Sequence, residues 1–210
     1  KGTVDNLQAR NLIVEAGNYT YLNGDIKITG LPDINKAYID FDANNFRTTY
    51  ADAVSLVPQL KNIGQPRLDL LQYIRFKGNF TGFLNDFVTY GTTETALGTI
   101  ITDVNMKFPA NGNPRYSGNL QTRNFNLGQF IGVPEIGDIS FNGKRNGVGL
   151  QGTKVNADLD GFVSQITVND YTYQKITVKG NLAKMPFDGR ITSNDPNLDA
   201  NLNGLVDFSK

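Results

Sequence analysis

Hydrophobic and polar residues alternate along much of the chain, which is typical of β-strands with one buried face and one solvated face. The alternation occurs in residues 37–42, 72–80, 100–108, 155–160 and 198–208. In the last of these segments, Leu198, Leu202 and Val206 share one side of the strand. The pattern therefore predicts an all-β fold with a continuous apolar face and a wet opposite face.

Glycine recurs inside these strand-like segments, commonly followed by a polar residue and then an apolar one. The phrase begins at Gly24, Gly78, Gly98, Gly118, Gly180 and Gly189. A glycine inside a strand usually marks a bulge, a bend or a close backbone approach. A bend repeated from strand to strand would curve a long sheet, whereas chance scatter in a glycine-rich β protein is the alternative. We expect most of the 22 glycines to lie in bent strands rather than in loops.

Two short apolar segments interrupt the strand pattern. Residues 50–57 follow an Asn-Phe pair that closes a strand, and they end at Pro58. Residues 127–131 also follow an Asn-Phe pair and precede Pro134. Proline ends helices, so both segments are predicted to be short helices. Such helices would either plug the end of a rolled sheet or cross between two sheet layers.

Composition excludes much of the chemistry that proteins perform. The 210 residues include 20 Lys and Arg, 20 Asp and Glu, and no His or Cys. Without imidazole or thiol there is no Ser-His relay, no Cys nucleophile, no disulfide and no His- or Cys-ligated metal. A net charge of zero gives no general attraction for nucleic acid. We therefore expect no enzymatic activity, no cofactor and no nucleic-acid partner.

Residues 195–200 begin like a calcium-binding loop, with Asp, Asn and Asp at alternate positions. The sixth position is Ala200, where the loop requires Gly, and the twelfth is Val206, where it requires Glu. The segment also alternates as a strand. We therefore predict a strand here and no metal site.

The ends of the sequence suggest a segment of a longer protein. The chain begins at Lys1 without a signal peptide, and residues 204–209 still have a strand pattern. No stretch has the roughly 20 apolar residues of a transmembrane helix. We interpret residues 1–210 as one β segment, and the repeated helix phrase allows sub-repeats of about residues 1–110 and 111–210.

Several sequence phrases in the C-terminal half resemble those of the long periplasmic TamB proteins of the AsmA-like group. The phrases are GNLQTRNFNLGQFIG at 118–132, GDISFNG at 137–143, ADLDG at 157–161, YTYQKI at 171–176, and DPNLD at 195–199 running into NGLVDF at 203–208. The resemblance covers about residues 115–209, and the first hundred residues are similar in texture only. These phrases are not catalytic signatures.

This resemblance implies a repeating β-groove, in which a long curved antiparallel sheet is rolled into an open groove with an apolar interior and one or two short helices. It implies a parent protein in the periplasm of a diderm bacterium, anchored in the inner membrane and directed toward the outer membrane. Family members are linked to phospholipid transport and to outer-membrane protein assembly with a BamA-like or TamA-like barrel. The edge strands would continue into neighbouring segments of the parent chain.

The candidate groove lining consists of apolar residues from the alternating segments, and phospholipid acyl chains are the expected partner. In the first half these residues are Ile26, Ile28, Ile39, Phe41, Ile74, Phe76, Phe80, Ile100, Val104 and Met106. In the second half they are Leu120, Ile139, Phe141, Ile176, Val178, Leu198, Leu202, Val206 and Phe208. The alternative for each residue is that it fills a closed sandwich core.

Two other functions remain open from the sequence. The first is an assembly scaffold whose strand edges receive nascent outer-membrane strands by β-augmentation. The second is an ordinary non-catalytic all-β surface or secreted module that binds carbohydrate. In that case Tyr19, Tyr21, Tyr171 and Tyr173 would stack against sugars, although such pairs on strands more often pack against each other.

Overall fold

A computed structural model describes residues 2–3, 5–56, 58–149, 155–183 and 186–207. The strands are β1 (Gly2–Thr3), β2 (Asn6–Ala16), β3 (Thr20–Thr29), β4 (Tyr38–Thr49), β5 (Tyr73–Phe83), β6 (Asp86–Thr95), β7 (Gly98–Lys107), β8 (Arg115–Arg123), β9 (Phe125–Asn126), β10 (Ile136–Val148), β11 (Asn156–Val168), β12 (Tyr171–Ala183), β13 (Pro186–Asp195) and β14 (Leu198–Asp207). The α-helices are α1 (Tyr50–Leu56) and α2 (Leu127–Ile131), and short 3₁₀ helices span Ile34–Lys36, Pro58–Asn62 and Leu68–Leu71.

These strands form one antiparallel sheet that does not close. Neighbouring strands follow one another in chain order from β1 to β14, except that the two-residue β9 pairs with β10 beside the main path. This order is a meander, which needs only short turns between successive antiparallel strands. The prediction of an all-β fold with a long open sheet and two short helices is confirmed.

The pairing register keeps the apolar residues of successive strands on one face. Ile26 pairs with Phe41, and Phe41 pairs with Phe80. The same row continues across the sheet through Thr89, Val104, Gly118, Arg145, Leu159, Gly180, Gly189 and Gly204. Directly opposed residues point to the same side of a sheet, so the alternation in each strand adds up to a continuous face. We call this the apolar face and the opposite, polar side the outer face.

Both α-helices lie at the same end of the sheet. Helix α1 follows the last residue of β4, and α2 follows β8 and β9. In an antiparallel meander the ends of β4 and β8 are on the same side, so we call this side the capped end and the other side the open end. Because the described strands form one sheet, the helices do not cross between two layers.

The densest packing lies at the capped end. Its buried side chains are Leu97, Phe125, Ile139, Phe141 and Val163. Leu127 and Phe130 of α2, together with Leu70 and Leu71 of a 3₁₀ helix, pack against them. The core is therefore formed where strands β8 to β11 meet the short helices, and not along the whole sheet.

Local sequence explains where the helices begin and end. The Asn126 side chain caps the N-terminus of α2 by accepting a hydrogen bond from the Gln129 N–H at 2.9 Å. Gly132 ends that helix in the left-handed conformation, with φ of 75°, which glycine adopts at little cost. Helix α1 ends at Leu56, before Pro58, as expected; Val57 lies outside the described residues.

Strand β4 is longer than the sequence indicates. The Asn-Phe pair at 45–46 was expected to close this strand, but β4 continues to Thr49. A bulge between Ala43 and Phe46 absorbs Asn44 and Asn45 and leaves Phe46 paired with Phe76 on the apolar face. The bulge changes the local register and does not end the strand.

The glycines lie mainly within strands, as expected. Those of the apolar-face rows are Gly24, Gly78, Gly82, Gly91, Gly98, Gly118, Gly143, Gly147, Gly161, Gly180, Gly189 and Gly204. Gly118 shows why a side chain is excluded: its φ is 135°, and a Cβ would lie 2.1 Å from the carbonyl oxygen of Asp103. The prediction that most glycines lie in strands rather than in loops is therefore confirmed, and their part in bending the strands stays a prediction.

Candidate functional site

The apolar face carries all of the predicted lining residues that the structure describes. From Ile26 in β3 to Val206 in β14, each occupies a position whose cross-strand partners also lie on this face. Phe208 lies outside the described residues. The structure thus brings these residues onto one surface, and their contact with lipid stays a prediction.

The exposure of this face depends on position. At the capped end, Ile139 and Phe141 are only 9% and 7% exposed and belong to the packed core. Most of the other predicted lining residues are half-buried, and at the β14 edge Leu202 is 52% exposed. For Ile139 and Phe141 the structure therefore favours the alternative of core filling, whereas away from the capped end no second sheet covers the face in the described part of the chain.

Phenylalanine rings lie directly over pairs of opposed glycines. The ring of Phe76 reaches within 3.0 Å of the position that a Cβ on Gly78 would occupy, and within 2.8 Å of that on the opposed Gly91. Phe141 covers Gly143 and Gly161 in the same way, and Phe187 covers Gly180 and Gly189. A ring this close to two glycines occupies the space that their side chains would otherwise fill and shields the backbone of both strands.

The glycines were predicted from the sequence, but the arrangement of one phenylalanine ring over two opposed glycines was not. The available signal was Phe-x-Gly, which occurs at Phe76, Phe141 and Phe187, and also at Phe80 and Phe130, whose rings are not among the nearest neighbours of the following glycine. In an extended strand, residues i and i+2 lie on the same side, so each phenylalanine is beside its own glycine. The cross-strand glycine that the ring also covers depends on the register between strands, and this partner was not readable from one segment.

Two buried threonine hydroxyl groups on the apolar face are satisfied by backbone hydrogen bonds. The buried Thr122 Oγ1 donates to the Ile139 carbonyl oxygen at 3.1 Å and accepts from the Phe141 N–H at 3.1 Å. Thr95 Oγ1 donates to the Gly98 carbonyl oxygen at 3.0 Å. A buried polar group with its hydrogen bonds made does not need water, so these threonines do not make the face hydrophilic.

Arg145 is a charged residue on the apolar face whose side chain is not satisfied in this way. Its position in β10 is opposite Gly118 on one side and Leu159 on the other. The guanidinium carbon lies 4.9 Å from the centroid of the Phe141 ring, an attractive cation–π geometry. Burial lowers the pKa of the Arg145 guanidinium from its ordinary value, against the opposing effect of Tyr116. The side chain stays a cation, because that ordinary value lies far above neutrality.

The position of Arg145 was also readable from the sequence but was missed. The alternation Ile139, Phe141, Gly143 and Arg145 places the arginine on the apolar side. A charged residue at an apolar position of an alternating strand is the signal that singles out Arg145.

Two buried carboxylates stabilise the capped end. Asp52 of α1 accepts hydrogen bonds from the backbone N–H groups of Tyr19 at 2.7 Å and Thr20 at 3.0 Å, and so fastens the β2–β3 turn to the helix. The Tyr19 N–H is the main cause of the lowered pKa of Asp52, and burial opposes it. Asp52 is only 6% exposed. Its role is to tie two elements together.

Asp195 performs the same task at the end of β13. Its carboxylate accepts hydrogen bonds from the Tyr171 hydroxyl at 2.8 Å and from the backbone N–H groups of Asn197 and Gln174, each at 2.9 Å. Burial raises the pKa of Asp195, but these hydrogen bonds together outweigh burial, so the pKa is lowered. The Tyr171 hydroxyl, one of the candidate sugar contacts, is thus engaged within the protein.

None of the helices in the described ranges combines the length and hydropathy required to cross a membrane. The same part of the chain contains no group of three or more acidic residues positioned to hold a metal ion.

Comparisons of the chain with protein-family models, with curated proteins and with solved structures gave no match. The resemblance to TamB-like proteins therefore rests on the sequence phrases alone and stays a prediction. The uncovered apolar face and its single arginine are the features on which a function can be argued.

Proposed function

We propose that this chain shields lipid acyl chains along its apolar face and acts as a segment of a passive conduit. The observation that carries this proposal is a face that runs across thirteen antiparallel strands, keeps half-buried apolar side chains such as Val104 and Phe76, and has no covering layer away from the capped end in the described residues. Monomeric soluble proteins rarely expose apolar patches larger than a few hundred Å². An apolar ligand would remove this surface from water.

The energetics suit a passive role. Each CH₂ group removed from water contributes about 0.8 kcal/mol, so an acyl chain prefers the face to solvent. Apolar side chains recur along the rows, as at Ile26, Phe41 and Val104 in one of them, and that same row also contains Arg145. Between such apolar positions an acyl chain meets similar surroundings, which allows its alkyl part to slide without entering a deep minimum. Such a mechanism needs no proton transfer and no covalent step.

From the resemblance we carry over further proposals about the parent protein. It would be anchored in the inner membrane, cross the periplasm of a diderm bacterium, and contribute to phospholipid transport between the two membranes. It would also support outer-membrane protein assembly with a BamA-like or TamA-like barrel. These proposals depend on the sequence phrases of residues 118–208 and extend the acyl-chain role to a cellular setting.

The direct test is native mass spectrometry, together with lipid extraction, of protein purified without detergent. Two neighbouring substitutions in β7 provide a matched pair. Val104→Asp introduces a carboxylate on the half-buried apolar face, whereas Asn105→Asp introduces it on the exposed outer face. We expect phospholipid adducts on the wild type and on Asn105→Asp, and loss of the adducts from Val104→Asp.

Circular dichroism would establish that both variants keep their β content, so that adduct loss is attributable to the face. Equal adducts on both variants would contradict binding at the apolar face. Absence of bound phospholipid from the wild type, together with no crosslinking from photoreactive residues at Phe76 or Leu202, would overturn the conduit proposal.

A second function is favoured by the edge of the sheet. Strand β14 pairs with β13 along Leu198–Asp207, and among the described residues it has no partner on its other side. An unpaired strand edge is a template for β-augmentation. A synthetic strand peptide would test this role: chemical-shift changes confined to the β14 backbone would support it, and their absence would contradict it.

A further inference from the structure

Arg145 is distinguished by where its charge lies. Among the strand positions that pair on the apolar face in the described ranges, Arg145 and Asp195 are the charged residues. Asp195 is at the capped end and is satisfied by protein hydrogen bonds. Arg145 lies between Gly118 and Leu159, toward the open end, and is the only cation that the described strands place on the apolar face.

No described residue neutralises this cation. No carboxylate in the described part of the chain forms a salt bridge with Arg145, although exposed pairs such as Lys179–Asp160 at 3.6 Å form on the outer face. The Arg145 Nε is buried and has no hydrogen-bond partner among the described residues. Its close neighbour is instead the apolar Phe141 ring, 4.9 Å from the guanidinium carbon.

An unpaired cation against an apolar surface is costly for the folded protein. Desolvation of a charge is compensated only by an opposite charge or by several hydrogen bonds, and the cation–π contact supplies a small part of this. The lowered pKa of Arg145 has burial as its main cause. An anion beside the guanidinium would remove the penalty, and arginine binds phosphate and carboxylate in a bidentate geometry.

Tyr116 places a hydroxyl on the open-end side of Arg145. Tyr116 is opposite Gly147, which lies two residues after Arg145 in β10, and its hydroxyl oxygen is 2.7 Å from the position that a Cβ on Gly147 would occupy. Burial raises the pKa of the Tyr116 phenol, against the lowering effect of Arg145. The hydroxyl is therefore protonated at neutral pH and can donate a hydrogen bond to an anion near Arg145.

We infer that Arg145, assisted by Tyr116, holds the anionic headgroup of an amphiphile whose alkyl chain lies along the apolar face. The charge requires an anion of the phosphate or carboxylate class. The surroundings, Phe141, Leu159 and the glycine at 118, require that the anion bring an apolar chain with it. A free inorganic anion would satisfy the guanidinium but leave the apolar rows exposed.

This inference rests on the proposed acyl-chain role and adds a headgroup preference to it. Three ligands distinguish the headgroup preference from the acyl-chain role. They are dodecyl phosphate, the uncharged dodecyl maltoside with the same chain length, and inorganic phosphate without a chain. Binding is measured by isothermal titration calorimetry, with each amphiphile below its critical micelle concentration. The protein is the 210-residue chain.

The variants are Arg145→Met, Arg145→Lys and the matched control Arg75→Met. Arg75 also lies over an aromatic ring, at 5.2 Å from the Tyr73 centroid, but it is exposed on the outer face. Arg145→Met is expected to fold, because replacing a buried charge by an apolar side chain of similar length is commonly neutral or stabilising. Its circular dichroism spectrum and melting temperature provide the check.

We expect dodecyl phosphate to bind the wild type about tenfold more tightly than dodecyl maltoside does, and inorganic phosphate to show no binding. Arg145→Met should lower the dodecyl phosphate affinity about tenfold and leave dodecyl maltoside unchanged, while Arg145→Lys retains part of the preference and Arg75→Met retains all of it. The expected factor of ten corresponds to about 1.4 kcal/mol.

Three results would contradict these expectations, and they distinguish failure of the headgroup inference from failure of the proposed function. Equal binding of both amphiphiles that Arg145→Met does not alter would overturn the headgroup inference and leave the acyl-chain role standing. Inorganic phosphate binding as tightly as dodecyl phosphate would show a free-anion site and would also overturn the inference. If neither amphiphile binds the wild type, the proposed function fails together with the inference.

Discussion

The capped end and the open end of this sheet are built from the same alternating strands but differ in packing. At the capped end, Phe125 is 3% exposed and packs edge-on against Phe130 of α2, with ring centroids 5.3 Å apart. At the open end, Phe108 remains 36% exposed. Among the described residues there, the buried apolar side chains are those of Ala37, Ala157 and Phe187, the last of which lies on a glycine pair.

The comparison teaches that the strands alone do not bury their apolar side. Closure comes from about ten residues outside the strands, chiefly α2 and the 3₁₀ helix Leu68–Leu71. Where these segments are absent, the face stays accessible. Stability is therefore expected to be concentrated at the capped end, and ligand contact at the remainder of the face.

The largest expected change in stability comes from removing one aromatic side chain at each end of the sheet, which tests the comparison directly. Phe125→Ala removes a buried ring and should lower the free energy of unfolding by about 3–5 kcal/mol. Phe80→Ala removes a half-buried ring that also has an aromatic neighbour, Phe87 at 4.7 Å, and should cost about 1–2 kcal/mol. Urea unfolding followed by far-UV circular dichroism measures both, and equal losses would contradict the assignment of the core to the capped end.

A smaller effect tests the glycine rows. Gly118→Ala combines an unfavourable φ of 135° with a Cβ only 2.1 Å from the Asp103 carbonyl oxygen, and should cost about 3 kcal/mol. Gly204→Ala has a similar φ of 140° but meets nothing within 4 Å. It should cost about 1 kcal/mol through backbone strain alone.

The same denaturation experiment compares the two glycine variants. The difference between them isolates the close approach of neighbouring strands from the strain of the φ angle. If both variants lose the same stability, the glycines are required for backbone conformation only, and the tight packing of strands on the apolar face would not be their reason.

The sequence predicted features that depend on residues close together in the chain, but not those that depend on contacts between distant segments. Alternation identified the strands and their apolar side because side chains in a strand have a period of two, and Pro58 and Pro134 marked the helix ends. The core did not follow from any segment, since Phe125, Ile139 and Val163 meet only through the pairing of β9, β10 and β11.

In the candidate site too, features within one strand were predictable from the sequence and features between strands were not. Predicted lining residues such as Phe76 and Val104 could be placed on a face from their own strand. The ring of Phe76 over the distant Gly91, and the Arg145 guanidinium over Phe141 without a counter-charge, depend on which strands are neighbours and on the rotamers that packing selects. These features require tertiary structure.

The smallest effect is the response to acid, which should be specific to the capped end. The pKa values of Asp52 and Asp195 are lowered in the folded protein. Their contribution to stability is therefore present above the ordinary carboxyl value of about 3.9 and is lost as the pH falls through the lower folded values. At neutral pH, Asp52→Asn should lower the melting temperature by roughly 3 °C.

This difference should shrink as the pH falls through the lowered folded pKa of Asp52, because the wild-type carboxyl then becomes protonated as well. Asp103→Asn, on the outer face, corrects for loss of one negative charge. A difference between the wild type and Asp52→Asn that stays constant from neutral to acid pH would show that the Asp52 charge does not hold the β2–β3 turn.

The central claim, that the apolar face and not the outer face receives acyl chains, is tested most directly at two leucines of β14. Leu202 lies on the apolar face and is 52% exposed, whereas Leu205 lies on the outer face and is 70% exposed. A photoreactive residue at each position would be irradiated in the presence of phospholipid vesicles, and crosslinked lipid would be measured by mass spectrometry. The account predicts crosslinking at position 202 and little at the more exposed position 205. Crosslinking at 205 equal to or above that at 202 would contradict it.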